Sequence, residues 1–184
     1  MIRIREGELS VRSLAEEDAP LLAAWLSDPR VLEFYEGRDR PHDLEQVYAH
    51  FYRKDSDSVR NIVMYGDRPV GYVQYYEIDE EERELYGYAS TRERIFGMDQ
   101  FIGETDCWNR GIGTRLVHAV AKYLLSELQA DRIVMDPQAW NARALRVYEK
   151  CGFVKKKLLP RHEWHEGAYR DCWQIELDGR TSRT

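Results

Sequence analysis

The segment Trp108-Asn-Arg-Gly-Ile-Gly-Thr-Arg115, set between an apolar run and a long amphipathic stretch, constrains this chain more than any other. Gly111 and Gly113 lack a Cβ, so the backbone between Arg110 and Thr114 can curl and aim successive N–H groups at one point where a helix begins. Phosphate oxygens suit that point. Arg110, Arg115 and the helix dipole add attraction for an anion such as a pyrophosphate. A glycine pair before a helix also serves plain tight turns, but two nucleotide readings fail here. No Lys-Ser or Lys-Thr pair follows, as a triphosphate loop requires, and the dinucleotide pattern needs a third glycine and an early strand-helix-strand unit. A different phosphate-bearing cofactor is favoured.

The flanks predict the surrounding elements. Upstream, Ile95-Phe-Gly-Met-Asp-Gln-Phe-Ile-Gly103 reads as a strand. Downstream, Leu116, Val117, Val120, Ala121, Leu124, Leu125 and Leu128 recur at helical spacing and predict a helix through Leu128. Arg132 to Asp136 reads as a short strand ended by Pro137. Asn141 caps a helix over 142–150 that Gly152 stops, and strands from Phe153 to Leu158 and Cys172 to Leu177 close the pattern. The N-terminal half predicts a first strand from Leu9 to Leu14 and a helix from Ala15 to Ser27 with Pro20 in its first turn. A second helix from about Asp43 to Tyr52 follows, then a hairpin of Asn61 to Tyr65 with Pro69 to Tyr76 around Gly66-Asp67. In this numbering Ile95 to Gly103 is strand four and Arg132 to Asp136 strand five.

Composition excludes several classes. A chain of 184 residues, 43% hydrophobic, suits one domain, expected over 1–178 with a flexible tail at 179–184. No leading apolar segment and no membrane-length run are present, so the cytoplasm is the expected location. Cys107, Cys151 and Cys172 are odd in number and lack metal-ligand spacing, which argues for reduced thiols. His162-Glu-Trp-His165-Glu166 lacks the helical His-Glu-x-x-His spacing, so no metal is expected. A net charge of -6 argues against nucleic acid and for a cationic small molecule. Glu77, Asp79, Glu80, Glu81, Glu82 and Glu84 form a cluster expected in a loop or strand edge. It is either a solvated loop or a rim that steers polycations over a distance.

The order strand, Gly-x-Gly turn, helix, strand, followed by Asn141-x-x-Ala144-x-x-x-Tyr148-x-x-x-Gly152-Phe153, resembles the GCN5-related N-acetyltransferases. Within them, Val31-Leu-Glu-Phe-Tyr35, Gly97-Met-Asp-Gln-Phe-Ile-Gly-Glu104, Trp108-x-x-Gly-Ile-Gly-Thr-Arg115 and His165-Glu-Gly167 with Asp171-Cys172 are similar to the aminoglycoside 6′-N-acetyltransferases. The similarity is greatest to the acetyltransferase half of the bifunctional acetyltransferase-phosphotransferase resistance enzyme, and it spans nearly the whole chain. Trp108 departs from the wider pattern, which has Gln or Arg there. The resemblance implies an α/β fold, a mixed and mostly antiparallel sheet splayed between strands four and five with helices on both faces. It implies acetyl-CoA held by Phe101, Ile102, Arg110, Gly111, Ile112, Gly113, Thr114, Arg115, Asn141, Ala144 and Tyr148. It also implies direct attack by an aminoglycoside 6′-amine in a ternary complex, with antibiotic resistance as the outcome and a monomer or weak dimer as the working form.

Acetyl transfer requires the attacking ammonium to lose a proton, and a carboxylate both attracts the amine and accepts that proton. Asp99 is the leading candidate, because a charge inside an apolar strand is costly unless used or paired with an arginine. Alternation puts it on the face of Gly97 and Phe101. Tyr148 could protonate the departing thiolate or be a buried structural tyrosine. Asn141 could bond the pantetheine amide or only cap its helix. The oxyanion would need a backbone donor near Phe101 to Gly103. Asp136 reads as Asp-Pro turn chemistry, and by resemblance as a substrate contact. Also by resemblance, Glu163, Glu166 and Asp171 add acidic contacts; Tyr35, Glu36, Tyr72, Gln74, Tyr76 and Gln100 are candidates for the same cleft, although core tyrosines look identical in sequence. The alternatives are a same-fold acyltransferase for another amine, such as a siderophore precursor, polyamine or protein N-terminus, and a non-catalytic protein that binds acyl-CoA or drug.

Overall fold

The structure is a computed structural model in which residues 1–54 and 56–180 are described. Eight strands form one sheet: β1 (Ile2–Glu6), β2 (Leu9–Ser13), β3 (Val59–Tyr65), β4 (Arg68–Glu77), β5 (Ile95–Ile102), β6 (Arg132–Met135), β7 (Val154–His165) and β8 (Ala168–Asp178), in the order β1-β2-β3-β4-β5-β6-β8-β7. Every pair is antiparallel except β5 with β6. The parallel pair needs a crossover, which α5 (Ile112–Ser126) supplies.

Strand alternation sends side chains to two cores. On one face, Leu116, Val120 and Leu124 of α5 pack over Val11, Val63, Val73, Met98 and Ile133. On the other, Leu22 and Trp25 of α1 (Ala19–Trp25) and Val47 and Phe51 of α3 (Leu44–Phe51) cover Ile62, Tyr72 and Phe101. Each such buried side chain contributes about 1.5–3 kcal/mol. Met98 and Phe101 therefore face opposite cores, and Asp99 projects on the Phe101 side between them, where no apolar neighbour can satisfy a carboxylate.

The splay lies where the resemblance placed it, between the fourth and fifth strands of the sequence numbering, now β5 and β6. These two strands pair only at Ile95 with Arg132, Phe96 with Ile133 and Gly97 with Val134. Beyond Gly97 the partners diverge, and Met98 to Ile102 stay paired to β4 alone. One edge of β5 is thus left open. Arg132 anchors the base of the fork: its guanidinium meets Glu176 at 2.7 Å and Glu93 at 3.2 Å, lies 3.5 Å from Asp178, and stands 5.3 Å from the Tyr88 ring centre.

Several elements differ from the sequence expectation. β1 was not anticipated; its Ile4 is buried, but only two apolar residues alternate in it. The first helix begins at Ala19 rather than Ala15, because the Asp18 carboxylate accepts from both Arg12 guanidinium nitrogens at 2.7 Å and from the Ala15 N–H at 2.8 Å, holding 16–18 in a tight turn. A one-turn α2 (Pro29–Leu32) is capped by Asp28. Only the start of the acidic cluster is strand end or loop: Glu77 ends β4 and Asp79 is the cap, but Glu80–Tyr86 is α4, in which Asp79 accepts from the Glu82 N–H and Glu82 reaches back to the Asp79 N–H. Its first-turn acids complement the helix dipole. β7 and β8 run past their expected bounds to a turn at Glu166-Gly167. Of the expected tail, 181–184 lie outside the described residues. The Gly179 N–H donates to the Asp131 carbonyl at 2.9 Å, and Arg180 pairs with Asp178.

Candidate active site

Two clefts meet across the splay. The first, of about 570 Å³, is lined by four carboxylates, Glu36, Asp99, Asp136 and Glu163, against one arginine, Arg40. The second, of about 440 Å³, is lined by Arg143, Arg146 and Lys150 and by no carboxylate. Phe34, Gln100, Asn141, Ala144 and Tyr148 line both. Charge thus divides sharply over one junction: a cation suits one side and an anion the other.

The basic groove is built on the glycine turn. Gly111 has φ +77° and precedes α5, whose first turn has no side-chain cap. A Cβ at Gly111 or Gly113 would meet nothing within 4 Å, and both glycines line the groove. α6 (Ala142–Lys150) forms the opposite bank. Its Asn141 cap accepts from the Ala144 N–H at 3.1 Å, a bond of about 1 kcal/mol that fixes where α6 begins and hence where Tyr148 falls. With the open edge of β5 below, the groove fits a ligand that carries amides along a strand edge and phosphates at a helix start.

Asp99 sits on the floor of the acidic cleft. The Gln74 side-chain amide donates to it at 2.9 Å, and the Tyr72 hydroxyl donates to Gln74 in turn at 2.8 Å. Burial pushes the Asp99 carboxyl up from 3.8 to about 6; the Gln74 bond opposes the shift, and Asp136, Glu163 and Glu36 add to it. Among the described residues no arginine pairs with Asp99. A carboxylate poised near neutrality and open to a cleft is suited to accept protons. Asp136 is held differently, accepting from the Tyr86 hydroxyl at 2.9 Å and facing His162 Nε2 at 2.7 Å.

Tyr148 stands at the junction. The Gln100 amide donates to its hydroxyl oxygen at 2.7 Å, so the phenolic proton points away from Gln100. Burial raises the Tyr148 hydroxyl above its ordinary value, which keeps it a donor. The Gly103 N–H donates to the Val70 carbonyl at 2.9 Å and is not free for an oxyanion, and the Trp108 indole donates to the Ile102 carbonyl at 2.8 Å.

A strap beside the acidic cleft joins the segment after Glu36 to the β7–β8 turn. Arg38, just after Tyr35 and Glu36, donates to Glu166 at the β7–β8 turn through Nε at 2.6 Å, Nη2 at 2.7 Å and its own backbone N–H at 3.0 Å. Those bonds pull the Glu166 carboxyl down to about 2, so the pair persists until pH falls toward that value. Arg38→Ala should raise the amine-substrate KM by about threefold to tenfold with kcat unchanged, and the difference should shrink as salt rises. An unchanged KM at low salt would deny the strap any part in holding substrate.

A family model described as an acetyltransferase (GNAT) domain matches residues 15–160. The chain belongs to the GNAT acetyltransferase family. Among its relatives, aminoglycoside N(6')-acetyltransferase type 1 of Klebsiella pneumoniae is 28% identical over 151 residues, which are 80% of this chain and 75% of that one. A kanamycin resistance protein of Rhizobium radiobacter is 33% identical over 75 residues, 41% of this chain and 69% of that one. The structure of aminoglycoside acetyltransferase AAC(6')-Ib with coenzyme A and kanamycin matches with TM-score 0.74 at 22% identity, covering 96% of this chain and 98% of that one. Spermidine N-acetyltransferase of Vibrio cholerae with CoA and spermine matches with TM-score 0.77 at 19% identity, covering 97% and 100%. At those identities the solved structures speak for the fold.

Within this GNAT domain the structure redistributes some expected site residues. Tyr35, Glu36, Gln74, Asp99, Gln100, Asp136 and Glu163 line the acidic cleft, and Phe101, Ile102, Gly111, Ile112, Gly113, Thr114, Asn141, Ala144 and Tyr148 line the basic groove. Arg115 does not: it turns to the Glu6 carbonyl at 3.2 Å and the Tyr65 ring at 5.7 Å. Arg110 is exposed and also outside the groove lining. Tyr72 is fully buried and reaches the cleft only through Gln74. Asp171 instead accepts from the Arg161 N–H at 2.8 Å at an irregularity of the β7–β8 ladder. Glu166 belongs to the strap, and Tyr76 packs its ring over Gly97 on the same sheet face as Asp99 without lining the cleft. The groove's own cations, Arg143, Arg146 and Lys150, went unrecognised, since on a helix of mixed polarity nothing local marks which charges face a ligand.

Proposed function

We propose that this protein transfers an acetyl group from acetyl-CoA to the 6′-amine of aminoglycosides, in a ternary complex and without a covalent enzyme intermediate. The observation that carries the reading is the division of charge: an acidic cleft for a polycation and a basic groove for an anionic cofactor, meeting at Gln100 and Tyr148 beside Asp99. Acetyl-CoA supplies an activated thioester. The α5 N-terminal turn, Asn141 and the open edge of β5 hold it. Glu36, Asp136 and Glu163 draw the ammonium groups of the substrate. Asp99 accepts the proton of the reacting ammonium, directly or through water, leaving its lone pair to attack the carbonyl carbon. Tyr148 gives its proton to the sulfur as the thioester bond breaks.

The acetylated nitrogen no longer carries positive charge, and the drug loses an ionic contact with its target. The names of the relatives in Klebsiella pneumoniae and Rhizobium radiobacter support this substrate class. The reading includes a cytoplasmic location, where acetyl-CoA is held, and a monomer as the working form, since both clefts are built from one chain. Among the described residues no helix is long and apolar enough to cross a membrane.

The test is free-thiol release from acetyl-CoA with kanamycin, tobramycin, a 6′-hydroxyl aminoglycoside, spermidine and lysine. Turnover confined to drugs bearing a 6′-amine is expected. Turnover of spermidine or lysine with silence on every aminoglycoside would leave the fold and discard the substrate.

A further inference from the structure

Arg143 occupies an unusual setting on the first turn of α6. Its guanidinium carbon lies 4.3 Å from the Phe34 ring centre and 4.4 Å from that of Trp108, in the corner between two rings nearly perpendicular at 84°. Among the described residues no hydrogen bond or ion pair engages its five N–H donors, and burial lowers its pKa, with Glu33 opposing. A guanidinium packed on aromatic faces keeps its edge free and its rotamers few, which suits it to receive an anion in the plane of that edge. That edge belongs to a groove lined also by Gly111, Gly113 and Lys150 and holding no carboxylate.

Trp108 opens the segment that carries the glycine turn with an uncharged side chain. Here the charge missing at 108 is brought to the same place from α6, and Trp108 serves as the surface on which it rests. We infer that Arg143 is a cofactor-binding residue that grips an anionic oxygen of coenzyme A, the groove's polar donor that Trp108 cannot be. The inference rests on the acetyl-CoA assignment above. Phe34 lines both clefts, so Arg143 also ties one wall of the acidic cleft to the basic groove.

Calorimetric titration with coenzyme A and with 3′-dephospho-coenzyme A tests it, read as Kd and its dependence on salt. Arg143→Met refills the corner between the rings without donors. That variant should bind coenzyme A about tenfold more weakly than wild type, with a shallower salt dependence and an unchanged melting temperature. Retention of the tenfold deficit with the dephospho compound assigns the contact to the pyrophosphate, and its disappearance assigns it to the 3′-phosphate. Wild-type affinity in Arg143→Met would overturn the inference alone, leaving Arg143 as packing. Failure of wild type to bind coenzyme A at all would overturn both the inference and the cofactor assignment beneath it.

Discussion

Asp99→Asn should lower turnover by about two to four powers of ten while leaving coenzyme A affinity nearly unchanged. The amide keeps the size of the side chain and a bond with Gln74 but cannot take a proton. In wild type, kcat/KM should rise with pH through about 6, where the carboxyl ionises, and then level off; the Asn variant should lack that limb. The linkage sign makes a second reading available. The folded protein binds at about 6 a proton that the ordinary carboxyl releases at 3.8, so ionised Asp99 costs stability as pH rises between those values. Above pH 6 the Asn variant should therefore melt no lower than wild type, which separates lost chemistry from lost folding. Near-normal turnover would remove Asp99 from the mechanism.

The largest stability effect should come from Arg132→Leu. Arg132 and Glu176 are both buried, and Glu93 and Asp178 share the same guanidinium. Replacing one partner of a buried ion pair leaves an uncompensated charge, at a cost of about 3–5 kcal/mol. Lys156 also reaches Glu176 at 2.9 Å, which places the effect toward the lower end. Urea or thermal denaturation should show a fall in melting temperature on the order of 10 °C. A loss below about 1 kcal/mol would mean that Lys156 and Tyr88 suffice to hold Glu176.

Local signals found what local physics controls. The glycine turn, the α5 stripe, the Asn141 cap and the β3–β4 hairpin are specified by residues close in sequence, and each forms where periodicity or capping put it. α4 had its signal too: Asp79 followed three residues later by Glu82 is a capping box, outweighed by the density of negative charge around it. α2 and β1 are too short for any period to register. Other features depended on partners far along the chain. Nothing near Arg115 says that it turns to Glu6, nothing near Arg143 that Phe34 and Trp108 receive it, and nothing near Arg38 that Glu166 lies opposite. Tyr72 and Asp171 were placed in the cleft by pattern, and burial and a backbone bond removed them.

The Arg38–Glu166 strap has a consequence for how the protein comes into being. Arg38 and Glu166 are 128 positions apart, so the wall carrying Tyr35 and Glu36 is synthesised well before the hairpin that joins it. A chain released as far as α6 already holds the glycine turn, Asn141 and Tyr148, yet it lacks Glu163, His165 and the far end of the strap. Every residue of the basic-groove lining is therefore synthesised before the acidic cleft has its full lining, which waits for β7. By the same connectivity, a nick in β7 strikes the cleft lining directly, at Glu163, Trp164 and His165, while every residue of the basic-groove lining precedes it.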